Sequence, residues 1–496
     1  MAEWIATHLA ALVILVPLTA APLAFLLGSS YSRGLAIVSA LLSQPLAAML
    51  AVKVVRDGPL RYEIGGWGGP LGIDLVVDGL SATLVLVTTV VGLGVTLYAW
   101  GYFADRERYR FFWPLWLFLW ASLYALFLSG DLFNLYVCLE LVSMSAVALV
   151  GLSLRRDALV AAMRYMLAAI LGSLFYLLGV ALIYAAFGSL DIATVRGLVR
   201  PDVTGQAAFA LMTVGLMMKT ALFPLHFWLP PAHSNAPSPV SAILSALVVK
   251  GSFYILVRVW VDVTEPGLVG GSATLLGVLG ASAIVWGSLQ AMRQERLKML
   301  VAYSTVAQIG YLFLLFPLVA GGGAPAADAW TGGIFHAVSH ALAKSAMFLA
   351  AGTVLARFGH DRIEGLAGLS RRAPITAMAF ALAGVTMMGL PPSGGFVAKW
   401  QMIRASIGSG EWWWAAVVAL GGLLAAIYVF RVVAVFLGRQ DAEGEDTDVD
   451  AGPSPKSMEW ATLALALGAL AIGVVGQPLI ELIGVGAPAL VAGVLP

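Results

Sequence analysis

The chain of 496 residues contains little charge and a single cysteine, Cys138. One cysteine excludes an intrachain disulfide and a cysteine-cluster metal site. Only 11% of the residues are charged while 60% are hydrophobic, which excludes an ordinary soluble globular protein. The formal net charge of +1 gives no basis for a nucleic-acid partner. The composition therefore indicates a polytopic membrane protein whose surroundings are the lipid bilayer.

Apolar stretches of about 20 residues, separated by polar breaks, predict an all-α protein with about fourteen transmembrane helices. The first stretch carries Glu3, lacks a basic start and exceeds a signal-peptide core in length, so we expect it to be retained. The predicted segments are 4–28, 34–56, 76–101, 111–129, 131–151, 159–188, 206–228, 237–260, 270–292, 299–320, 330–356, 374–405, 411–438 and 458–486.

Basic residues are concentrated in the loops that follow odd-numbered segments. Fifteen Lys and Arg residues lie in these loops, among them Arg33 and Lys298, against seven on the other side, among them Arg258. By the positive-inside rule, the odd-numbered loops are cytoplasmic and both termini lie outside. The acidic stretch 441–450 is then a solvated cytoplasmic linker.

Four charged residues lie in the middle of apolar stretches, and a fifth lies nearer a helix end. The central residues are Glu140, Lys219, Lys250 and Lys344, and the fifth is Lys399. A charge at the bilayer centre costs roughly 3 kcal/mol, so it is rarely present without a partner, a water cavity or a function. The pattern therefore favours an ion or proton path over purely structural ion pairing.

Two of the apolar segments contain helix breakers close to a lysine. Pro224 predicts a kink beside Lys219, because proline cannot donate a backbone hydrogen bond. The string PPSGG, residues 391–395, interrupts the segment before Lys399. Interrupted helices in corresponding places of two halves are typical of inverted-repeat transporters, whereas a single break favours a simple bend.

The breaks lie in the seventh and twelfth segments, and this spacing predicts two inverted five-helix repeats. We expect a single membrane domain over 1–496. It comprises an N-terminal part (1–110), repeat one (111–260), repeat two (270–438) and an acidic loop with the last helix (439–496).

His336, His340 and Lys344 recur every fourth residue of one segment. This spacing lays three titratable groups along a stripe of about 12 Å, as a proton relay requires. Two alternatives are a metal site, which the absence of an accompanying carboxylate or cysteine disfavours, and plain hydrogen bonding between helices.

Five strings carry a family resemblance. They are LSGDLFNLYVCLELVSMSA, MMKTALFPLHFWLPPAHSNAPSPVSAILSALVVKG, LKMLVAYSTVAQIGY, HAVSHALAKSAMF and GLPPSGGFVAKW. Together they resemble the antiporter-like subunits shared by Mrp cation/proton antiporters and complex I, over roughly residues 75–438. The D-type subunit of Mrp is the most similar in the string that precedes Glu140. Lys399 argues against the M type of complex I, which carries Glu there, but not against the N type.

The resemblance implies one subunit of a multi-subunit transporter in a prokaryotic cell membrane, exchanging internal Na⁺ for external protons. Its partners would be the other membrane subunits of a Mrp-type complex. The residues that match the family's hydrophilic axis are Glu140, Lys219, Lys250, Lys344 and Lys399, and His336 lies where the family tends to have His.

Two other functions remain open. The chain could be a proton-pumping membrane subunit of a complex I-like NADH dehydrogenase or membrane-bound hydrogenase, or a structural subunit whose charges hold an assembly together. No flavin, haem or iron–sulfur motif is present, so no cofactor is expected and redox chemistry would belong to partners. Because Glu140 is the only central carboxylate, we expect this chain to carry mainly protons and the Na⁺ path to lie partly or wholly in a partner.

Overall fold

The computed structural model describes residues 2–69, 72–103, 109–200, 202–263, 266–438, 452–489 and 491. The acidic stretch 441–450 lies outside these ranges, as do the loop residues Arg106, Arg108 and Arg439.

The N-terminal part consists of three long helices and a small hairpin. These elements are α1 (Ala2–Leu26), α2 (Ser29–Asp57), β1 (Leu60–Glu63), β2 (Asp74–Val77) and α3 (Gly79–Tyr102). The two antiparallel strands, which the sequence analysis did not predict, pair Leu60 with Val77 at one end. Arg61 fixes the hairpin to the helical body, because its guanidinium contacts Asp74 and, at 3.1 Å, Asp191.

The next group of helices covers the first predicted repeat. It contains α4 (Phe112–Leu128), α5 (Leu132–Val150), α6 (Arg156–Phe187), α7 (Ile192–Val195), α8 (Val203–Thr220), α9 (Leu229–Asn235), α10 (Ser238–Ile243) and α11 (Val249–Arg258). Aspartates begin several of these helices: Asp131 accepts from the backbone N–H of Asn134, and Asp202 accepts from that of Gly205. A π-helical turn, Leu244–Val248, joins α10 to α11, and another, Val259–Val263, follows α11.

The remaining helices cover the second predicted repeat and the C-terminal part. They are α12 (Pro266–Met292), α13 (Leu297–Phe313), α14 (Leu315–Ala320), α15 (Gly323–Phe358), α16 (Leu369–Arg372), α17 (Pro374–Met388), α18 (Gly394–Gly408), α19 (Trp412–Leu437), α20 (Lys456–Val474) and α21 (Gln477–Gly484). Short 3₁₀ turns lie at Ile64–Gly66, Gly151–Ser153 and Glu364–Leu366.

The all-α polytopic fold is confirmed. Within the described residues, eleven helical segments are long and apolar enough to cross a membrane, and Phe112–Leu128 and Pro374–Met388 are shorter apolar helices. Each of the fourteen predicted segments overlaps a helix or a pair of helices. The number of crossings and the two inverted repeats remain predictions.

The two most buried of the long apolar segments carry the middle of the candidate site, namely Lys250, His336, His340 and Lys344. In the most apolar 18-residue stretch of each segment, all residues of Ser238–Val263 and 94% of those of Gly323–Phe358 are buried, against only 33% for Trp412–Leu437. A lysine on either of the first two segments therefore meets protein rather than lipid.

Three basic residues counted as loop charges are folded inward rather than solvated: Arg33 and Lys298 are buried, and the side chain of Arg258 is only 11% exposed. Arg33 donates to the carbonyl of Phe103 at 2.6 Å, and Lys298 donates to that of Ala236. Arg258 forms a bidentate ion pair with Asp78, with N–O distances of 2.6 and 2.7 Å. Each lies near a helix end, where sequence alone does not distinguish a solvated cation from one that is folded inward.

Asp78 begins α3, and its charge state depends on this pair. Burial alone would raise the pKa of Asp78, but the charge and hydrogen bonds of Arg258 outweigh burial and hold that pKa below its ordinary value. The pair therefore fastens α3 to α11 through a charged contact on the side of the hairpin.

Candidate functional site

Glu140 and Lys219 form a direct ion pair between α5 and α8. Lys219 Nζ donates to Glu140 Oε1 at 2.8 Å and to Ser143 Oγ at 2.8 Å. The hydroxyl of Ser173 on α6 donates to the same carboxylate oxygen. The Lys219 side chain is 4% exposed and that of Glu140 is 24% exposed, so the ammonium is enclosed while the carboxylate reaches the surface of the chain.

The helix that carries Lys219 stops directly after it. The α8 helix ends at Thr220, Ala221 takes a left-handed conformation with φ 59°, and regular helix resumes only at Leu229. The sequence predicted a kink at Pro224, and the structure shows a full interruption. Trp228 Nε1 donates to the carbonyl of Met218 at 3.0 Å, which satisfies one of the acceptors that the helix end exposes.

Lys250 lies directly after the first π-helical turn. Its Nζ donates to the carbonyl of Ser245, five residues earlier, at 2.7 Å. A π-helical turn frees carbonyl groups from the regular ladder, which explains how a side chain can use one. The same Nζ contacts His340 Nδ1 on α15, and both side chains are buried. This contact joins the charged residues of the two predicted repeats.

His336 lies one turn before His340 on α15. Its Nε2 is 3.0 Å from the carbonyl of Gln308, and since a carbonyl only accepts, Nε2 carries the hydrogen. The ring centroids of the two histidines are 5.8 Å apart, and that of Tyr311 is 5.1 Å from His336. Within the described residues, His336 Nδ1 and His340 Nε2 have no protein partner. A buried polar atom of this kind is normally satisfied by water.

Lys344 shares the stripe of the two histidines but contacts neither of them by a hydrogen bond. Its Nζ donates to the carbonyl of Val301, at 3.2 Å, and to the hydroxyl of Ser304, both on α13. The regular spacing on α15 therefore places the three groups on one face without making them a continuous chain of hydrogen bonds.

Lys399 occupies the second helix break. The α17 helix ends at Met388 and α18 begins at Gly394. Lys399 Nζ donates to the carbonyls of Met387 and Met388 at 2.8 and 3.1 Å, and lies 4.6 Å from the centre of the Tyr311 ring. The ammonium thus caps the carbonyl end of α17, where the helix dipole favours a cation.

These seven side chains are termed the buried row: Glu140, Lys219, Lys250, His340, His336, Lys344 and Lys399. Between Lys219 and Lys250, Thr220 Oγ1 donates to Ser252 Oγ at 2.9 Å. A cavity of about 10 Å³ lined by Lys219 and Ser252 lies at the same place. This volume is about the least that holds one water molecule. Lys219, Ser143 and Ser252 are polar partners in an otherwise mostly apolar lining.

Two buried groups near the row, His233 and Lys298, were not predicted from the sequence. His233 is fully buried, its ring lies 4.7 Å from that of Phe348, and neither ring nitrogen has a partner among the described residues. Lys298 is buried at the start of α13, and its backbone N–H donates to Asp361 at 3.1 Å. Polar and proline-rich neighbours made both segments resemble loops. No group of three potential metal ligands occurs within the described ranges.

An all-α membrane fold with lysines on its most buried helices is the architecture of antiporter-like membrane subunits, and this is the class that fold and site define. The chain belongs to the family described as NADH:quinone oxidoreductase/Mrp antiporter, TM, whose model matches residues 129–425. A second model, NADH-Ubiquinone oxidoreductase (complex I), chain 5 N-terminus, matches residues 68–112. The resemblance drawn from the sequence strings is confirmed.

The relatives fall on both branches of this family. The N-type subunit of the NADH-quinone oxidoreductase of Desulforudis audaxviator is 36% identical over 96% of this chain and 97% of its own length. The D-type subunit of the Na⁺/H⁺ antiporter of Alkalihalophilus pseudofirmus is 29% identical over 90% of each chain. Among solved structures, a chain of the Mrp complex from Dietzia sp. superimposes with a TM-score of 0.89 at 26% identity, covering 97% of both chains.

Proposed function

We propose that the chain is the proton-carrying subunit of a multi-subunit Na⁺/H⁺ antiporter, and that protons move along the buried row. The observation that carries the proposal is the Lys250–His340 contact, because it joins the titratable groups of α11 to those of α15. A proton on Lys250 has a neighbouring base to receive it, and imidazole can hold or release a proton near neutral pH. The chain is then a transporter subunit rather than a catalytic enzyme.

The partners of the lysines support proton transfer over permanent charge. Lys250, Lys344 and Lys399 contact carbonyl, hydroxyl and imidazole groups, and none of the three has an ion pair within the described residues. An ammonium without a counter-ion is costly in a low-dielectric interior, whereas a neutral amine is not. Like charges also repel strongly at low dielectric, so protonation of one lysine disfavours protonation of the next.

The Glu140–Lys219 pair supports a coupling role at one end of the row. Glu140 is 24% exposed on the chain surface, where another subunit of the complex can contact it. Glu140 also carries the only carboxylate of the row, and this carboxylate already accepts a hydrogen bond from Lys219. A Na⁺ ion prefers oxygen ligands, so we place the Na⁺ path partly or wholly in a partner subunit. In a prokaryotic cell membrane, both termini would lie outside.

One observation favours a second function, that of a proton-pumping subunit in a redox complex. The relative with 36% identity over 96% of this chain is the N-type subunit of an NADH-quinone oxidoreductase. The same row serves either function, since both require protons to cross the membrane within this chain.

Purification of the intact complex through a tag on this chain separates the two functions. The expected result is a set of membrane subunits without flavin or iron–sulfur proteins, and Na⁺-driven proton movement after reconstitution into liposomes. Redox subunits and a reduced-minus-oxidised iron–sulfur spectrum would instead establish the second function. The purified chain alone should show no robust Na⁺/H⁺ exchange, and exchange by the single chain would refute a Na⁺ path in a partner.

A further inference from the structure

A basic cavity of about 770 Å³ opens at the end of the molecule where α6 begins. Its walls are one face of α6, one face of α9 and the turn between α12 and α13. Four arginines line it: Arg156, Arg164, Arg293 and Arg296. None of them belongs to the buried row.

Most of these arginines are available to an anion. Arg296 is paired with Asp361 at 2.8 Å. Within the described residues, Arg156, Arg164 and Arg293 have no ion pair, and all three are exposed. Two carboxylates also line the cavity, those of Asp157 and Glu295, so arginines outnumber acids by four to two. The lining therefore carries a net positive charge.

The start of α6 adds hydrogen-bond donors to this charge. The helix begins at Arg156, and the residue before it, Arg155, makes no side-chain cap, although Asp157 places one carboxylate in the first turn. The first-turn amides of a helix lack partners within the helix and favour an anion. Arg156 and Arg164 are eight residues apart, which places them on one face about 12 Å from each other.

An apolar stripe continues from the cavity along the same helix. Val160 lines the cavity and is 45% exposed. It is followed at helical spacing by exposed leucines, namely Leu167, Leu171, Leu174 and Leu178. The stripe from 160 to 178 is about 27 Å long, close to the thickness of a bilayer's hydrocarbon core.

We infer that this cavity binds a phosphate group carried by the headgroup of an anionic phospholipid, whose acyl chains lie along the α6 stripe. Guanidinium groups and helix amides match phosphate oxygens, and the adjoining leucines match acyl chains. A soluble phosphate compound would use the arginines but leave the stripe without a role. This inference does not depend on which ion the chain transports.

Lipid retention by the purified full-length chain tests the inference. The protein is equilibrated with mixed phosphatidylcholine and phosphatidylglycerol vesicles, washed in detergent and examined by native mass spectrometry. The double variant Arg164→Gln/Arg293→Gln removes two cations that hold no ion pair, so folding should be unchanged, as a thermal melt will verify. Surface arginines contribute about fivefold each to anionic lipid binding, so retention of phosphatidylglycerol should fall about 25-fold.

The controls distinguish this site from general surface charge and from free phosphate. Arg371 is exposed outside the cavity, and Arg371→Gln should retain phosphatidylglycerol like the wild type. Arg164→Lys/Arg293→Lys keeps the charge and should retain most binding. A melting shift with inorganic phosphate that the Gln variant abolishes would support the phosphate site with a free anion as its ligand. Equal retention by the wild type and the folded Gln variant, without a phosphate shift, would overturn the inference.

Discussion

The lysines of the buried row differ in what their ammonium groups contact. Lys219 meets the carboxylate of Glu140, whereas Lys250 meets a carbonyl and an imidazole, and Lys399 meets two carbonyls. An ammonium that has a counter-ion is stabilised in its charged form. An ammonium with neutral partners can release its proton at a lower cost in free energy. In the function proposed here, Lys219 would hold a fixed charge, and Lys250 and Lys399 would exchange protons.

Lys219→Ala tests the role proposed for the Glu140–Lys219 ion pair. The change removes the ammonium of Lys219 and leaves the Glu140 carboxylate with the hydroxyl of Ser173 as its partner. A proton that arrives at another residue of the row then has no Glu140–Lys219 ion pair to perturb. We expect Na⁺/H⁺ exchange by the reconstituted complex to fall at least about tenfold, with assembly retained. Lys53→Ala, which removes an exposed lysine from a surface pair, is the matched control and should exchange normally. Normal exchange by Lys219→Ala would show the pair to be dispensable.

The two histidines should contribute unequally. His340→Gln removes the base that contacts Lys250, whereas His336→Gln removes a ring that binds a backbone carbonyl and faces Tyr311. We expect the larger loss of exchange in His340→Gln. A water molecule can replace the ring of His336 more easily than it can replace the direct contact between His340 and Lys250. Initial rates of proton uptake measure the difference. Equal rates in the two variants would contradict the order of contacts in the row.

At this scale, the sequence predicted the candidate residues but not most of their contacts. Glu140 and the central lysines stand out because a charge in an apolar stretch is rare. His233 and Lys298 were missed because polar neighbours hid their burial, and the contact between Lys250 and His340 joins residues 90 positions apart. Sequence spacing cannot report such a contact, since it depends on how two helices cross.

Helix ends position three of the lysines. Lys219 lies in the last turn of α8, Lys250 follows a π-helical turn, and Lys399 reaches back to the end of α17. In each place the backbone departs from the regular ladder and leaves carbonyls that side chains can use. The irregular elements thus provide acceptors for charges inside an apolar body, as broken membrane helices commonly do.

Pro391→Ala/Pro392→Ala tests this use of a broken helix. The two new N–H groups can reach the carbonyls of Met387 and Met388, four residues earlier, and so compete with Lys399 Nζ for its acceptors. Exchange should drop while the melting temperature changes little. The matched control is Pro17→Ala/Pro22→Ala in α1, a pair of prolines away from the row, which should leave exchange intact. Normal transport by the double variant at 391 and 392 would show that the helix break has no role in transport.

The elements themselves were only partly predictable. Hydropathy located every long apolar helix, and Pro and Gly marked both interruptions, because these effects are local. The start of α15 was placed seven residues late, since the Ala-rich string that precedes Trp330 is weakly apolar but favours helix. The π-helical turn before Lys250 and the hairpin of β1 and β2 left no sequence signal, because tertiary packing decides them.

Over the whole molecule, the middle of the row lies on the most buried helices, because Lys250 belongs to Ser238–Val263 and His336, His340 and Lys344 belong to Gly323–Phe358. The N-terminal and C-terminal helices are much less buried. In the most apolar 18-residue stretch of each segment, all residues of Ser238–Val263 are buried, against 33% of those of Lys456–Val474. Protons that use the row must therefore move within protein, and the peripheral helices are free to contact lipid or partner subunits. The direction in which protons would cross the membrane depends on the topology that the loop charges predict.

Thiol labelling of intact cells tests this topology. Replacing Cys138 by Ser gives a cysteine-free chain, since it is the only cysteine. In that background, Trp67→Cys lies in the exposed loop between α2 and α3, and Arg371→Cys lies between α15 and α17. A membrane-impermeant maleimide should label the first variant from outside and the second only after lysis. The reverse pattern would place both termini in the cytoplasm.

The central claim is that a proton, and not merely a charge, passes through Lys250. Lys250→Arg tests it most directly, because arginine retains a cation that can bind the Ser245 carbonyl but does not release its proton. Na⁺-driven proton uptake is measured in liposomes containing the assembled complex, with Lys53→Arg as the matched control. The account predicts that Lys250→Arg assembles with an unchanged subunit composition and loses exchange while the control retains it. Near-normal proton uptake by the assembled Lys250→Arg complex would contradict the account.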